Sequence, residues 1–585
     1  MQTDRASLTN AHSDQARGSG GGNGSGAAEL IARGALLIAV LSAVSRLLGL
    51  VRTVVFAQSV GAGCLGTAYV TANTVPNLIY ELALGGALAS AMVPVLARAA
   101  SRADQDETQK AYVTQVASAL LTWAVLVLLP VTAAIALLAR PIADVLIPAN
   151  PNAACARPAM LGTTTDFIVA FAPQIMLYGV SVVLTGLLQA YRRFTGPTLA
   201  PVVGNVVTIT SYLLFASLDK NLPMARTPLV AQLVLSIGTT MNIGMLVLVA
   251  LPPTWRLKLR LRPTLRFPPG VIGKAGGLAL VGLLEFVAGD VQSVVTIALA
   301  NGRGDTGALV LVNYSTLVFA SVCSVLPIAI VTSVFPVLAA SDGAEFDRTS
   351  AGSTRAVMLM SWLGTAVIAA VALPSAHILA RQPDQVTQLT QAFLLYAPGV
   401  AGFALIVGMS RVMFALGRLR AAGIGLVAGP LLQIAVSIPL VLMAPPRLVV
   451  AALALGSTVA LLAVAVPMVF AVRRLRARPR WPGSATRRWR GSRPAPSAAR
   501  SASGSRWRCR PAASCSRPPS ARWRRCSPCS PSASGPTRWT GATCGWWPGG
   551  CAGSPGPAPS RPPGQGIWAD CGATGGIWGY VLDNG

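Results

Sequence analysis

Six charged side chains sit inside otherwise apolar stretches: Arg46, Arg52, Glu81, Glu285, Asp290 and Arg411. The densest group falls between Ala39 and Ala99, which reads AVLSAVSRLLGLVRTVVFAQSVGAG and, after Cys64 and Leu65, GTAYVTANTVPNLIYELALGGALASAMVPVLARA. Counted from the start of the first apolar segment, Arg46 lies roughly 18 Å deep on a helix, near the middle of a ~30 Å hydrocarbon core, and Arg52 about 9 Å further on. A guanidinium at that depth costs ~2.5–3.5 kcal/mol on insertion scales, so it must face protein or a water-filled cavity. The chemistry offered there is anion recognition, because the planar guanidinium fork pairs with phosphate. Six residues turn a continuous helix through about 600°, which leaves the two arginines ~120° apart. They converge on one ligand where Gly49 bends the helix or the cavity is wide. Snorkelling or an internal ion pair is the alternative use of both charges.

Glu81 either neutralises Arg46 or Arg52 or exchanges a proton. Before it, Pro76 frees a carbonyl and favours a kink, and Asn77 offers a polar side chain to the same cavity; beyond it, Gly85 and Gly86 allow close helix contact. Glu285 and Asp290 occur in GGLALVGLLEFVAGDVQSVVTIALA. Five residues apart, they do not share a helix face and make a poor ready-made cation cage. Acids at such depth mark ion or proton paths, so they are the candidates for coupling to Na+, H+ or the membrane potential, with structural pairing as the rival. Arg411, in SRVMFALGRLR, faces either the cavity or its helix neighbours. No phosphate-cradling glycine loop, nucleophile triad or metal-ligand spacing is present, so the expectation is a secondary-type transporter without a cofactor or metal rather than an enzyme.

The elements that position these groups are transmembrane helices. Of 585 residues, 53% are hydrophobic and 11% charged, and apolar runs longer than 18 residues recur. That composition belongs to an all-α polytopic membrane protein. Twelve spans are expected, at about 34–60, 66–98, 111–139, 163–190, 197–218, 227–251, 271–300, 308–340, 353–374, 387–417, 420–443 and 447–472. The short apolar piece Ile142–Pro148 reads as interfacial or re-entrant. Lys and Arg concentrate after even-numbered spans, which predicts a cytoplasmic N-terminus. The net charge of +28 does not call for nucleic acid: residues 479–585 hold 15 Arg against two acids, and the rest fits the positive-inside pattern.

The organisation expected is a disordered arm at 1–31, an N-lobe of six spans at 32–251, a basic cytoplasmic linker at 252–270, a C-lobe of six spans at 271–478 and a low-complexity tail at 479–585. Six is an even number, so both lobes enter from one side and form a parallel pseudo-repeat. A trace of it is the match of Ala91–Ala97 (AMVPVLA) with Ser333–Ala339 (SVFPVLA), which close spans two and eight. The tail holds nine of the twelve Trp and seven of the ten Cys. Its Arg, Pro, Ser, Trp and Cys without periodicity are what GC-rich DNA yields out of frame, and a translated disordered basic tail is the alternative. Cys64, Cys155 and Cys323 are far apart and give no disulfide or metal spacing.

The ordered string VSRLLGLVRTVVFAQSVGAG…AYVTANTVPNLIYELALGG…MVPVLARA resembles the MurJ/MviN family of the MOP superfamily, the lipid II flippases of the bacterial inner membrane. The resemblance implies a multi-pass protein of the cytoplasmic membrane that moves undecaprenyl-pyrophosphate-linked peptidoglycan precursor outward by alternating access. Its implied partners are that lipid, membrane lipids and proteins of cell-wall synthesis or division. It also implies that Arg46 and Arg52 belong to a central cationic cavity and that an ion binds near the seventh span. The chain departs from the pattern at Thr67, where many relatives carry Asp, and in span eight, where Leu317 and Ala320 replace charges. A flippase for another lipid-linked saccharide and a transport-inactive scaffold of cell-wall assembly are the competing readings.

Overall fold

The computed structural model describes residues 22–81, 100, 106–150, 154–219, 224–266, 276–341 and 343–477. Every regular element among them is helical. In chain order the helices are α1 Gly22–Ser59, α2 Cys64–Tyr80, α3 Glu107–Leu137, α4 Ala139–Leu146, α5 Arg157–Phe171, α6 Pro173–Ala190, α7 Thr195–Asp219 and α8 Leu229–Trp255. The second half continues with α9 Gly276–Arg303, α10 Ala308–Cys323, α11 Ala329–Ala340, α12 Gly343–Leu379, α13 Pro383–Tyr396, α14 Gly399–Ala415, α15 Leu419–Met443 and α16 Val449–Ala477.

Eleven helical runs among the described residues are long and apolar enough to cross a membrane. Three of them are broken in the middle for readable reasons. Pro173 begins α6 directly after α5, Pro398 separates α13 from α14, and a π-helical turn at Ser324–Ile328, containing Pro327, joins α10 to α11. The second expected span is described only through α2 and Glu81. Gly85, Gly86 and the Ala91–Ala97 copy of the repeat lie outside the described residues. The short α4 is the interfacial piece expected at Ile142–Pro148, shifted three residues towards the N-terminus.

Two boundaries differ from expectation. Helix α1 begins at Gly22 rather than after residue 31: Ala27–Leu30 are good helix formers that extend it from the membrane segment, whereas the Gly-Asn-Gly-Ser-Gly turn before them has no propensity to explain it. At the other end of the first half, α8 runs through Pro252 and Pro253 to Trp255, so the basic connection starts at Arg256.

Helices α1–α8 pack with one another, α7 lying between α1 and α8, and α6 contacting both α3 and α8. In the second half, α16 packs on α13, α14 and α15, while α15 also holds α9. The two bundles meet where α2 touches α10, α1 touches α12 and α4 touches α9. Threonine and serine hydroxyls inside the helices, such as Thr74 and Ser410, donate to the carbonyl four residues earlier. That device satisfies a hydroxyl without water.

Candidate functional site

Arg46 projects from α1 and is exposed, yet its Nη1 donates to Ser324 Oγ across the bundle boundary at 2.9 Å. Ser324 is the first residue of the π turn, and its hydroxyl in turn donates to the Ser321 carbonyl at 2.7 Å. One wide turn in span eight thus supplies the acceptor for a mid-helix cation. Helix α1 continues as one helix through buried Gly49, whose carbonyl accepts from Thr53 Oγ1 at 3.1 Å. Arg52 is half-buried and its charge acts on the hydroxyls of Tyr69 and Tyr212. Arg46 therefore reaches the second bundle, while the charge of Arg52 acts on an aromatic cluster that includes Tyr69 and Tyr212 of the first.

The acids are placed differently from the sequence expectation. Glu81 is buried just beyond α2 and makes no ion pair among the described residues. The charge acting on it is that of Asp290 on α9, not of an arginine. Both carboxylate oxygens of Asp290 are buried without a hydrogen-bond partner among the described residues. Glu285, one and a half turns earlier, feels the charge of Arg411 instead. Arg411 is 8% exposed and stacks over the Phe335 ring of α11, 5.1 Å from its centroid. Of the two placements the sequence allows, this contact sets Arg411 against a helix neighbour within the second bundle. Asn77 accepts from Tyr178 Oη at 3.1 Å, and the Tyr178 ring lies 4.5 Å from that of Tyr80, tilted by 35°, so Asn77 joins α2 to α6. Pro76 is buried within an α2 that does not break. Leu317 and Ala320, which stand where charges were looked for, are buried in α10 and suit that environment.

Sequence reading missed the opposite, sealed end altogether. There Asn150 Nδ2 donates to the carbonyls of Asn301 at 2.9 Å and Gly304 at 2.8 Å, and Ala154 N–H donates to Thr306 Oγ1 at 2.9 Å. Asn301 Nδ2 returns bonds to Leu146 O at 2.9 Å and Thr71 Oγ1 at 3.1 Å. Gln385 and Gln58 add bonds between the bundles to Ala62 O at 2.9 Å and Ile378 O at 2.6 Å. Gly307, at φ +90°, brings the second bundle so close that a Cβ there would collide with the Ala62 carbonyl. Beneath this layer Phe56, Tyr69, Tyr212 and Tyr314 form an aromatic knot joining both halves.

The loop that carries Asn150 is itself fastened. Arg157 pairs with Asp144 at 2.7 Å, and Cys155 forms a disulfide with Cys64 at the start of α2, with 5.9 Å between Cα atoms. The disulfide corrects the expectation drawn from cysteine spacing: a separation of 91 residues carries no local signal, and only the fold joins the pair.

The sequence profile of the family described as Lipid II flippase MurJ matches residues 56–490. The chain belongs to the MurJ family. Glu81, Glu285, Asp290 and Arg411 lie inside the matched stretch, whereas Arg46 and Arg52 precede it. This MurJ-family chain is 24% identical over 393 residues to the lipid II flippase MurJ of Burkholderia cenocepacia, covering 64% of the chain and 71% of that protein. It is 25% identical over 437 residues to the probable lipid II flippase MurJ of Rhizobium meliloti, covering 71% and 76%. Among solved structures, a lipid II flippase MurJ in an inward closed conformation superposes with a TM-score of 0.59 at 16% identity, covering 75% of this chain and 87% of that one. A multidrug resistance MATE family transporter of the MOP superfamily, inward-facing, gives 0.52 at 14% identity, covering 74% and 95%. At these identities the shared property is the fold, an all-helical membrane bundle of the kind these transporters have.

Proposed function

We propose that this chain is a lipid II flippase that carries the undecaprenyl-pyrophosphate-linked precursor from the cytoplasmic to the outer leaflet of the bacterial cytoplasmic membrane. The observation that carries the reading, beyond family membership, is Arg46: an exposed guanidinium deep in a membrane helix, shared between the two lobes through Ser324. A pyrophosphate headgroup competes well for such a group, because a charge-assisted bidentate pair replaces one bond to a neutral hydroxyl. The lipid tail stays in the bilayer while the headgroup passes between the lobes.

The basic loops set the N-terminus and the 256–266 connection in the cytoplasm, so the sealed end faces outward. The conformer is then the one that loads from inside. Export requires the Asn150, Asn301, Gln385 and Gln58 bonds to part while the inner ends of the lobes close. Asp290, with Glu81 beside it, is our candidate for coupling this movement to a cation, a proton or the membrane potential, since an unpaired buried carboxylate is stabilised by either cation. Glu285, on which the charge of Arg411 acts, is assigned to the second lobe's own packing. Cell-wall synthesis proteins remain candidate partners on the strength of the substrate's destination.

The test is to deplete a bacterial host of its own flippase, express this chain, and measure how much lipid II an externally added lipid II-cleaving enzyme reaches. Restored cleavage supports the reading. A well-expressed chain that restores none overturns it and favours a different pyrophosphate-linked lipid.

A further inference from the structure

The connection between the lobes is a strap with an ordered surface. Residues 256–266 leave α8 and lie along α3: Arg262 N–H donates to Ser118 Oγ and Thr264 N–H to Thr122 Oγ1, both at 3.1 Å, while Trp123 Nε1 and Gln115 Nε2 donate to the carbonyls of Leu265 and Arg266 at 3.2 and 3.3 Å. Leu257, Leu259 and Leu261 pack against α3 and α6, in the cluster of Val113, Ala117 and Leu187. The alternation that half-buries the leucines leaves Arg256, Lys258, Arg260 and Arg262 exposed, with Arg266 at the end. Arg256 and Lys258 lie on the turn that ends α8, and from Lys258 onward two-residue spacing in extended chain sets successive cations roughly 6–7 Å apart. The backbone bonds fix the second half of the row, at 262–266.

Its depth is marked by two exposed indoles, Trp255 where the strap begins and Trp123 where it ends. Indoles in such positions sit at headgroup level. Exposed Arg192 and Arg193 follow α6 beside the same cluster, next to Tyr191.

Backbone conformation adds an independent observation. Among the described residues, the non-glycine residues at positive φ are Arg192 (56°) and Lys258 (51°). Each follows a helix end, where Arg192 N–H donates to Gln189 O and Lys258 N–H to Trp255 O. Glycine is the usual occupant of that left-handed position, and a side chain there is strained. Both strained sites hold cations, and both lie on this patch.

We propose that the strap and the end of α6 form a docking surface for anionic phospholipid headgroups of the adjoining leaflet, with phosphodiester groups seated along the cation row. This partner is distinct from the transported lipid, and the surface lies outside the Arg46 region. The two left-handed cations are kept at some cost to the fold because their charge is used.

The test titrates the detergent-solubilised full chain with phosphatidylglycerol and with phosphatidylcholine. The expected result is about tenfold tighter binding of phosphatidylglycerol, a preference that fades at high salt. Replacing Arg256, Lys258, Arg260, Arg262 and Arg266 together by Gln removes the preference. The pair R192G and K258G weakens phosphatidylglycerol binding about threefold without lowering the melting temperature. Equal binding of the two lipids, or a preference untouched by the Gln replacements, overturns the proposal. So does a glycine pair that melts lower, because the cations would then be holding the turns. Selectivity for undecaprenyl pyrophosphate over phosphatidylglycerol would reassign the surface to the transported lipid and overturn it as well.

Discussion

Asn150→Ala isolates the sealed end. One amide nitrogen there spends both of its hydrogens on the second lobe, at 2.9 and 2.8 Å. In the outward-open state the same groups bond to water, so the net loss falls on the sealed state. At about 1 kcal/mol per net hydrogen bond the substitution costs that state ~2 kcal/mol, which shifts the equilibrium towards opening roughly 30-fold. Ala68 is fully buried under this layer and makes a suitable reporter. With Ala68→Cys as the reactive thiol, labelling by a membrane-impermeant maleimide added outside should accelerate by one to two orders of magnitude when Asn150→Ala is present, provided opening precedes reaction. A change of less than about twofold would refute the reasoning. It would mean that the aromatic knot, not the polar layer, holds the lobes together.

Other substitutions test other parts of the account. Replacing Cys64 and Cys155 by Ser releases a 91-residue loop and should destabilise the chain by up to ~4–5 kcal/mol on the chain-entropy estimate, read as a lower melting temperature that added reductant reproduces in the parent. Gly307→Ala should lower stability by several kcal/mol or force the sealed end apart, since φ +90° and the Ala62 carbonyl both oppose a side chain; normal melting and normal thiol protection at Ala68→Cys would contradict this. Arg411→Gln and Glu285→Gln should each destabilise, and the double variant should cost less than their sum by about 1 kcal/mol or more; strict additivity would show that the two charges are not coupled.

The membrane class and the succession of apolar helices were legible because hydropathy acts over twenty residues at a time. Arg46 stood out for the same reason, as a cation where lipid forbids one. Its partner did not: Ser324 becomes an acceptor only through the π turn at Pro327, and its hydroxyl is 278 residues away in sequence. Arg411 and Glu285 were each visible as charges within apolar helices, but one-dimensional spacing cannot say that the charge of Arg411 acts on Glu285. Asn77 was visible as a polar group on α2, but its hydrogen bond from Tyr178 of α6 could not be read from spacing. The sealed end was invisible because it is made of Asn, Gln, Gly and backbone carbonyls, residue types that loops carry for many reasons.

The central claim is that Arg46 handles the headgroup. The direct measurement is translocation of a fluorescent lipid II analogue by the purified full chain in vesicles, with and without Arg46→Ala. The account predicts that the parent moves the label and that R46A, folded and equally incorporated, slows transport at least about 100-fold, the cost of roughly 3 kcal/mol of charge-assisted binding. Equal rates in both proteins would contradict it and place the headgroup elsewhere.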